Sequence, residues 1–156
     1  MSSHALIVDD SRLACKVLAD MLEPLNITSE SVYSADQALD YLQTNLPDII
    51  FLDHFMQGMD GLETLKVIKS NPKTATVPIM MYTAKQGEVY VGQARALGAV
   101  DVLPKGLEKD YLHNALAKLG MLERRTADSA EVGSSSPNDL ISAAMAVSKK
   151  SQSTTV

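Results

Sequence analysis

Five side chains able to ligate or to react stand where short apolar runs end. ALIV at residues 5–8 is followed by Asp9 and Asp10, IIFL at 49–52 by Asp53, PIMMY at 78–82 by Thr83, and VDVL at 100–103 by Pro104 and Lys105. A carboxylate at the rim of a core loses hydration, and that cost persists only where a cation shares the site. Three carboxylates gathered together repel one another. Their all-oxygen character suits a hard ion such as Mg²⁺, which keeps several waters and takes few protein ligands. An ammonium and a hydroxyl beside them complete a set for phosphoryl chemistry. The cations neutralise phosphoryl oxygens, the hydroxyl hydrogen-bonds one, and a carboxylate serves as nucleophile in forming an acyl phosphate.

These groups meet only if the apolar runs are neighbouring strands. The pattern predicts strands over 5–8, 28–33, 49–52, 78–82 and 100–103, alternating with helices over 12–22, 35–42, 62–68, 86–97 and 108–119. All strands but the second are nearly continuous in apolar residues, as strands covered on both faces are. Ser11 and Ser34 read as N-caps, Gly98 closes the fourth helix, and Asn71 with Pro72 stops the third. The alternation predicts five βα units over residues 4–120, in an α/β fold with a doubly wound parallel sheet. In such sheets ligands bind at the carboxyl ends of the strands, near the point where strand order reverses.

A chain of 156 residues, 46% hydrophobic, has enough material for one ordinary core. The net charge of −5 and the lack of a basic stripe argue against nucleic acid as the main partner. Cys15 is the only cysteine, so no internal disulfide can form. The opening MSSHALIVDD shows no charged segment leading into an apolar one, and no run reaches membrane-spanning length. A cytoplasmic setting without a membrane partner is the expectation. Residues 121–156 form a Ser- and Ala-rich tail. Within it Ser136, Pro137 and Asp139 begin a predicted helix over 137–148, with Leu140, Ile141, Ala144, Met145 and Val147 at helical spacing. So short a helix frays in water unless it docks on a partner or on its own domain, and both outcomes stay open.

Five motifs, VDD at 8–10, FLD at 51–53, MDG at 59–61, YTA at 82–84 and PKG at 104–106, resemble those of the response-regulator receiver domain. The resemblance implies a flavodoxin-like fold with strand order 2-1-3-4-5 over residues 1–120. It also implies that Asp53 is the phosphoacceptor, charged from a phosphohistidine on a histidine kinase or histidine phosphotransfer protein. By the same likeness Mg²⁺ is held at Asp53, directly by Asp10, by the backbone carbonyl of Phe55, and through water by Asp9. Thr83 turns toward the phosphoryl oxygen and Lys105 pairs with it. Such a protein is a signalling switch of a two-component or phosphorelay pathway. The resemblance implies not an enzyme but a phosphoacceptor that assists its own phosphoryl transfer and hydrolysis and signals by docking on a downstream target protein.

Several positions depart from that pattern. Gly106 stands where the family carries a proline in a cis peptide, and a cis bond before a non-proline residue costs about 3 kcal/mol. The geometry of the Lys105 loop therefore stays open. Val102 occupies the place of the family's switch aromatic, so Thr83 and the 84–88 loop must carry more of any switching. Phe55 and Lys85 flank the site where similar proteins tune acyl-phosphate hydrolysis. A bulky apolar Phe55 hinders attacking water, which predicts a long-lived phosphoryl state.

Each signal has a plainer reading. A lone Asp9 or Asp10 is an N-cap or turn residue, a lone Thr83 a capping hydroxyl, a lone Lys105 a solvated charge. Their joint placement at four strand ends favours the functional one. Strand alternation turns His54 to the face opposite Asp53, so it reads as structural. His4 and His113 have no ligand-like spacing, and the methionines read as core packing. A flavin-binding relative would need a Ser-, Thr- and Gly-rich loop where DDSRLA stands. A cobalamin domain would need a histidine two places after the aspartate, and a haloacid-dehalogenase-like phosphatase a second aspartate there; Phe55 fills that position. The rival that survives is a degenerate receiver, a phosphorylation-independent protein-binding module, kept open by Gly106 and Val102.

Overall fold

The computed structural model describes residues 3–122. The chain divides into two compact units, 1–109 and 110–156. The first comprises β1 (Ser3–Val8), α1 (Arg12–Leu22), a 3-10 turn (Glu23–Leu25), β2 (Ile27–Val32), α2 (Ala35–Leu42), β3 (Ile49–Leu52), α3 (Gly61–Ser70), β4 (Ile79–Thr83), α4 (Glu88–Ala96) and β5 (Asp101–Pro104). The described element of the second is α5 (Lys109–Lys118). The predicted helix over 137–148 lies outside the described residues.

All strand pairs are parallel and the order is β2-β1-β3-β4-β5, so the order reverses between β1 and β3. Val8 pairs in register with Val32 on one side and Leu52 on the other, Leu52 with Met81, and Thr83 with Pro104. The strands thus end level with one another. The residues that follow them, Asp9, Asp53 and Lys105, emerge at one rim.

Burial explains which strands were plain in the sequence. β1, β3 and β4 are central and covered on both faces. Leu6, Val8, Ile50, Leu52, Ile79 and Met81 pack with Ala38, Leu42, Leu65, Ile68 and Ala94 of α2, α3 and α4. Ala5, Ile7, Ile49, Phe51 and Met80 point to the opposite face, on which α1 buries Cys15, Leu18 and Leu22. The edge strand β2 is only partly buried, and that is why 28–33 carries the weakest apolar pattern. Met80 and Met81 are core residues and Met56 packs against the core, as expected of the methionines.

Local signals set the helix ends. Ser11 Oγ accepts from Ala14 N and Ser34 Oγ from Gln37 N, both at 3.1 Å, and Asn71 is the C-cap of α3. Three helix starts differ from the predicted bounds; α5 begins at Lys109, one residue late. α3 begins at Gly61, because Asp60 and Glu63 form a capping box, each side chain accepting from the other's backbone N–H. α4 begins at Glu88, since Gly87, at φ 113°, turns the chain out of helical geometry. The 3-10 turn was not predicted; Pro24 lies in its first turn and Asn26, at φ 63°, closes it.

Gly61 is required for a different reason, its closeness to the strand carrying the candidate nucleophile. A Cβ there would collide with the Asp53 carbonyl oxygen and stand 2.6 Å from His54 Cα. Because both obstacles are backbone, a side chain can be fitted only by moving the β3–α3 connection. Gly61→Ala should therefore cost about 1–3 kcal/mol of stability in chemical denaturation, more than helix propensity alone would suggest, since alanine is the better helix former.

Candidate functional site

Hydrogen bonds that continue the sheet one residue beyond its strands position the site. Asp9 N donates to Val32 O at 3.1 Å, Asp53 N to Val8 O at 2.9 Å, and Lys105 N to Thr83 O at 3.3 Å. With their backbones fixed in this way, Asp9 is 1% exposed and Asp53 3%. Thr83, the last residue of β4, is fully buried.

Lys105 Nζ lies 2.6 Å from Asp9 Oδ2 and 3.5 Å from Asp53 Oδ2, an ammonium shared by two carboxylates. Asp9 Oδ1 accepts from Ser11 N at 2.9 Å, so both oxygens of Asp9 face a positive partner. Asp10 is exposed. Carboxylate oxygens of Asp9, Asp10 and Asp53 come within 4.8 Å of one another. Three carboxylates against one ammonium leave two negative charges uncompensated. Asp53 Oδ1 is moreover buried with no hydrogen bond. A buried carboxylate oxygen normally finds a donor, and one without a donor is open to a cation instead. The donor set is all-oxygen, the surplus is two charges, and a hard divalent ion fits both.

Electrostatics mark the same three residues. The Asp53 carboxyl is raised above its usual range by burial and then by the Asp9 charge, against the opposing pull of Lys105, the Thr83 hydroxyl and the His54 N–H. Burial lowers the Lys105 ammonium, but Asp9 and Asp53 outweigh it and hold the lysine protonated above its ordinary value.

Around this pocket the loops add groups. Thr83 Oγ1 accepts from Lys85 N at 3.1 Å. Phe55 is 53% exposed. His54 is turned away from Asp53, as alternation predicts; its ring meets those of Phe55 and Tyr90 edge-on, each at 5.1 Å, and lies 3.9 Å from Asp60. Every peptide bond among the described residues is trans, that before Gly106 included. Gly106 sits at φ 84°, a conformation closed to proline, and Lys105 still reaches both acids. Val102 packs against the core cluster. Tyr90 was missed in the sequence, and Gly61 entered only as part of the MDG motif, without a steric role. The Tyr90/Ala94 spacing marks a buried face of α4, but nothing in it shows the ring meeting His54.

The model of the response regulator receiver domain matches residues 5–117. The chain belongs to that family. Response regulator PleD of Caulobacter vibrioides is 32% identical over 108 residues, 69% of this chain and 24% of PleD. The transcriptional regulatory protein ZraR of Salmonella typhimurium is 34% identical over 114 residues, 72% of this chain and 25% of that protein. The receiver thus spans about a quarter of these curated relatives. Among solved structures, a putative response regulator from Chloroflexus aurantiacus superposes with a TM-score of 0.71 at 29% identity, covering 80% of this chain and all of the other. The N-terminal domain of a response regulator receiver protein from Methanoculleus marisnigri gives 0.63 at 32% identity, covering 79% and 98%. Membership places the receiver in two-component signalling. Among the described residues no helix is long and apolar enough to cross a membrane.

The raised Asp53 carboxyl makes stability depend on pH. Because the folded state holds this proton more tightly than the unfolded chain, ionising Asp53 costs stability as pH climbs from the ordinary carboxylate range, about 3.9, through the raised folded value. Asp53→Asn removes that cost. With a chelator present, the variant should be more stable than the wild type at pH 7, and the gap should close toward pH 4 in paired denaturation curves.

Proposed function

We propose that this receiver is a phosphorylation switch of a two-component or phosphorelay pathway, taking a phosphoryl group on Asp53 from a phosphohistidine of a histidine kinase or histidine phosphotransfer protein. The observation that carries this reading is the Lys105 ammonium, 2.6 Å from Asp9 and 3.5 Å from Asp53, beside a buried Asp53 oxygen without a hydrogen bond. In the transfer, an Asp53 oxygen attacks phosphorus, the bond from phosphorus to imidazole nitrogen breaks, and the imidazole leaves as a neutral ring once it gains a proton. Lys105 exchanges its contact with Asp53 for a phosphoryl oxygen. The Thr83 hydroxyl donates to another. Asp10, Asp53 and the Phe55 carbonyl would hold Mg²⁺, with Asp9 acting through water, and the ion would supply charge that neutralises the phosphoryl oxygens.

The receiver extends over residues 1–120 in this reading, with 121–156 as a tail. It catalyses no reaction beyond its own phosphoryl transfer and hydrolysis, and its output is docking on a downstream protein. The degenerate alternative rests on Gly106 and Val102. Against it stands the retention of the Lys105 contacts despite Gly106.

Acetyl phosphate with Mg²⁺ should label the wild type with one phosphoryl group, seen by intact mass or phosphate-affinity electrophoresis. Labelling should vanish with Asp53→Asn or with a chelator. A wild type that neither labels nor binds Mg²⁺ supports the degenerate receiver.

Phe55 bears on the lifetime of the product. Two residues after Asp53, its half-exposed bulky apolar ring would obstruct attacking water, so the phosphoryl group should persist longer on the wild type than on Phe55→Asn, measured as loss of label after acetyl phosphate is removed. Equal or faster loss from the wild type would refute this role.

A further inference from the structure

Lys85 follows Thr83 by two residues, and its ammonium lies between two rings. Nζ stands 5.7 Å from the centroid of Phe55 and 5.5 Å from that of Tyr90, both within the range at which a ring face attracts a cation. The His54 ring meets both rings edge-on, each at 5.1 Å. Three segments are joined: the β3–α3 connection through Phe55, the β4–α4 connection through Lys85, and α4 through Tyr90, which is 3% exposed.

The same residue reaches the phosphoacceptor through its backbone. Lys85 N donates to Thr83 Oγ1 at 3.1 Å. That bond occupies a lone pair of the hydroxyl and leaves its hydrogen free to donate, and the hydroxyl favours the charge of Asp53. Thr83 is β-branched, so rotation about χ1 exchanges Oγ1 with the methyl or the hydrogen and breaks the bond to Lys85. Wherever the residue-85 backbone is held, so is the Thr83 rotamer.

We infer that Lys85, clamped between the Phe55 and Tyr90 rings, is a positioning residue for Thr83, holding its hydroxyl toward Asp53 before any phosphoryl group arrives. The inference deepens the proposed reading of Asp53 and, for its effect on transfer, rests on it. It also supplies a part that Val102 cannot. Here the ring buried beneath the β4–α4 loop is Tyr90 on α4, and a side chain of the loop itself rests on it.

Two measurements separate the clamp from the function it would serve. The first is the χ1 population of Thr83 in unphosphorylated protein without divalent ion, read from three-bond couplings to its γ-methyl carbon by NMR. The wild type, Lys85→Arg and Tyr90→Phe should show one dominant rotamer, whereas Lys85→Met and Tyr90→Leu should show mixed rotamers. Tyr90 is buried and its leucine variant may be unfolded; Lys85→Met, at a partly exposed position, then decides alone. An unaltered Thr83 rotamer in Lys85→Met overturns the inference. The second is the initial rate of acetyl phosphate labelling, which should fall about two- to fivefold in Lys85→Met, be restored in Lys85→Arg, and show no further loss from Lys85→Met in a Thr83→Ala background. A wild type that never labels removes the proposed function and leaves the rotamer result to stand or fall by itself.

Discussion

One ammonium shared between two buried carboxylates is the constraint on which the rest of this structure depends. Two like charges about 4 Å apart oppose each other by about 4 kcal/mol even at an effective dielectric near 20, before any desolvation is counted. Asp9 and Asp53 bear that repulsion at the edge of a core, and Lys105 offsets it by standing against both. The compensation is incomplete, because Asp10 adds a third charge and Asp53 keeps an oxygen without a donor. A fold that retains such a deficit has an unmet demand for positive charge at one defined place. A divalent cation would meet it and would present the same positive surface to a phosphoryl group, so on the proposed reading metal binding and phosphoryl transfer share one origin.

The sheet delivers this arrangement through register rather than through the side chains themselves. Val8 is level with both Val32 and Leu52, so the next residue on each of two central strands leaves the core at the same height, on either side of the point where strand order reverses. The extra ladder bonds from Asp9, Asp53 and Lys105 hold those backbones as firmly as strand residues. A slip of one residue in any pairing would turn a carboxylate to the other face, where His54 now points. Gly61 adds a steric condition, since the chain returning into α3 passes against the backbone of Asp53 and His54.

Much of this was legible in the sequence because central parallel strands must be apolar on both faces. The runs at 5–8, 49–52 and 78–82 announced themselves, and the polar residues ending them located the rim. Edge strand β2 was faint for the complementary reason: with part of its surface in solvent, its side chains need not be apolar. The ends of α3 and α4 were misplaced by one or two residues where a reciprocal capping box and a glycine at φ 113° overrode periodicity. Tyr90 was invisible as a partner of the site. Helical spacing marks it as buried, yet the ring's neighbours come from two loops whose course depends on tertiary packing, which no local pattern encodes.

The departures at 102 and 106 can be weighed by the same physics. Replacing proline by glycine removes a fixed φ but permits a left-handed turn that proline cannot enter, and the chain uses that freedom at φ 84°. What the site needs from this loop is an ammonium within reach of two acids. The attraction of the acids for Lys105 supplies the orientation that a rigid loop would otherwise impose. Val102 is a different case, since no electrostatic pull can replace a missing ring. With a valine packed on the core there, the buried Thr83 hydroxyl accepts from the Lys85 N–H, and Lys85 bears on rings from β3–α3 and α4. On the proposed reading, a change at Asp53 would pass through Thr83 and Lys85 toward α4, along contacts that differ from those of a receiver built around an aromatic on β5.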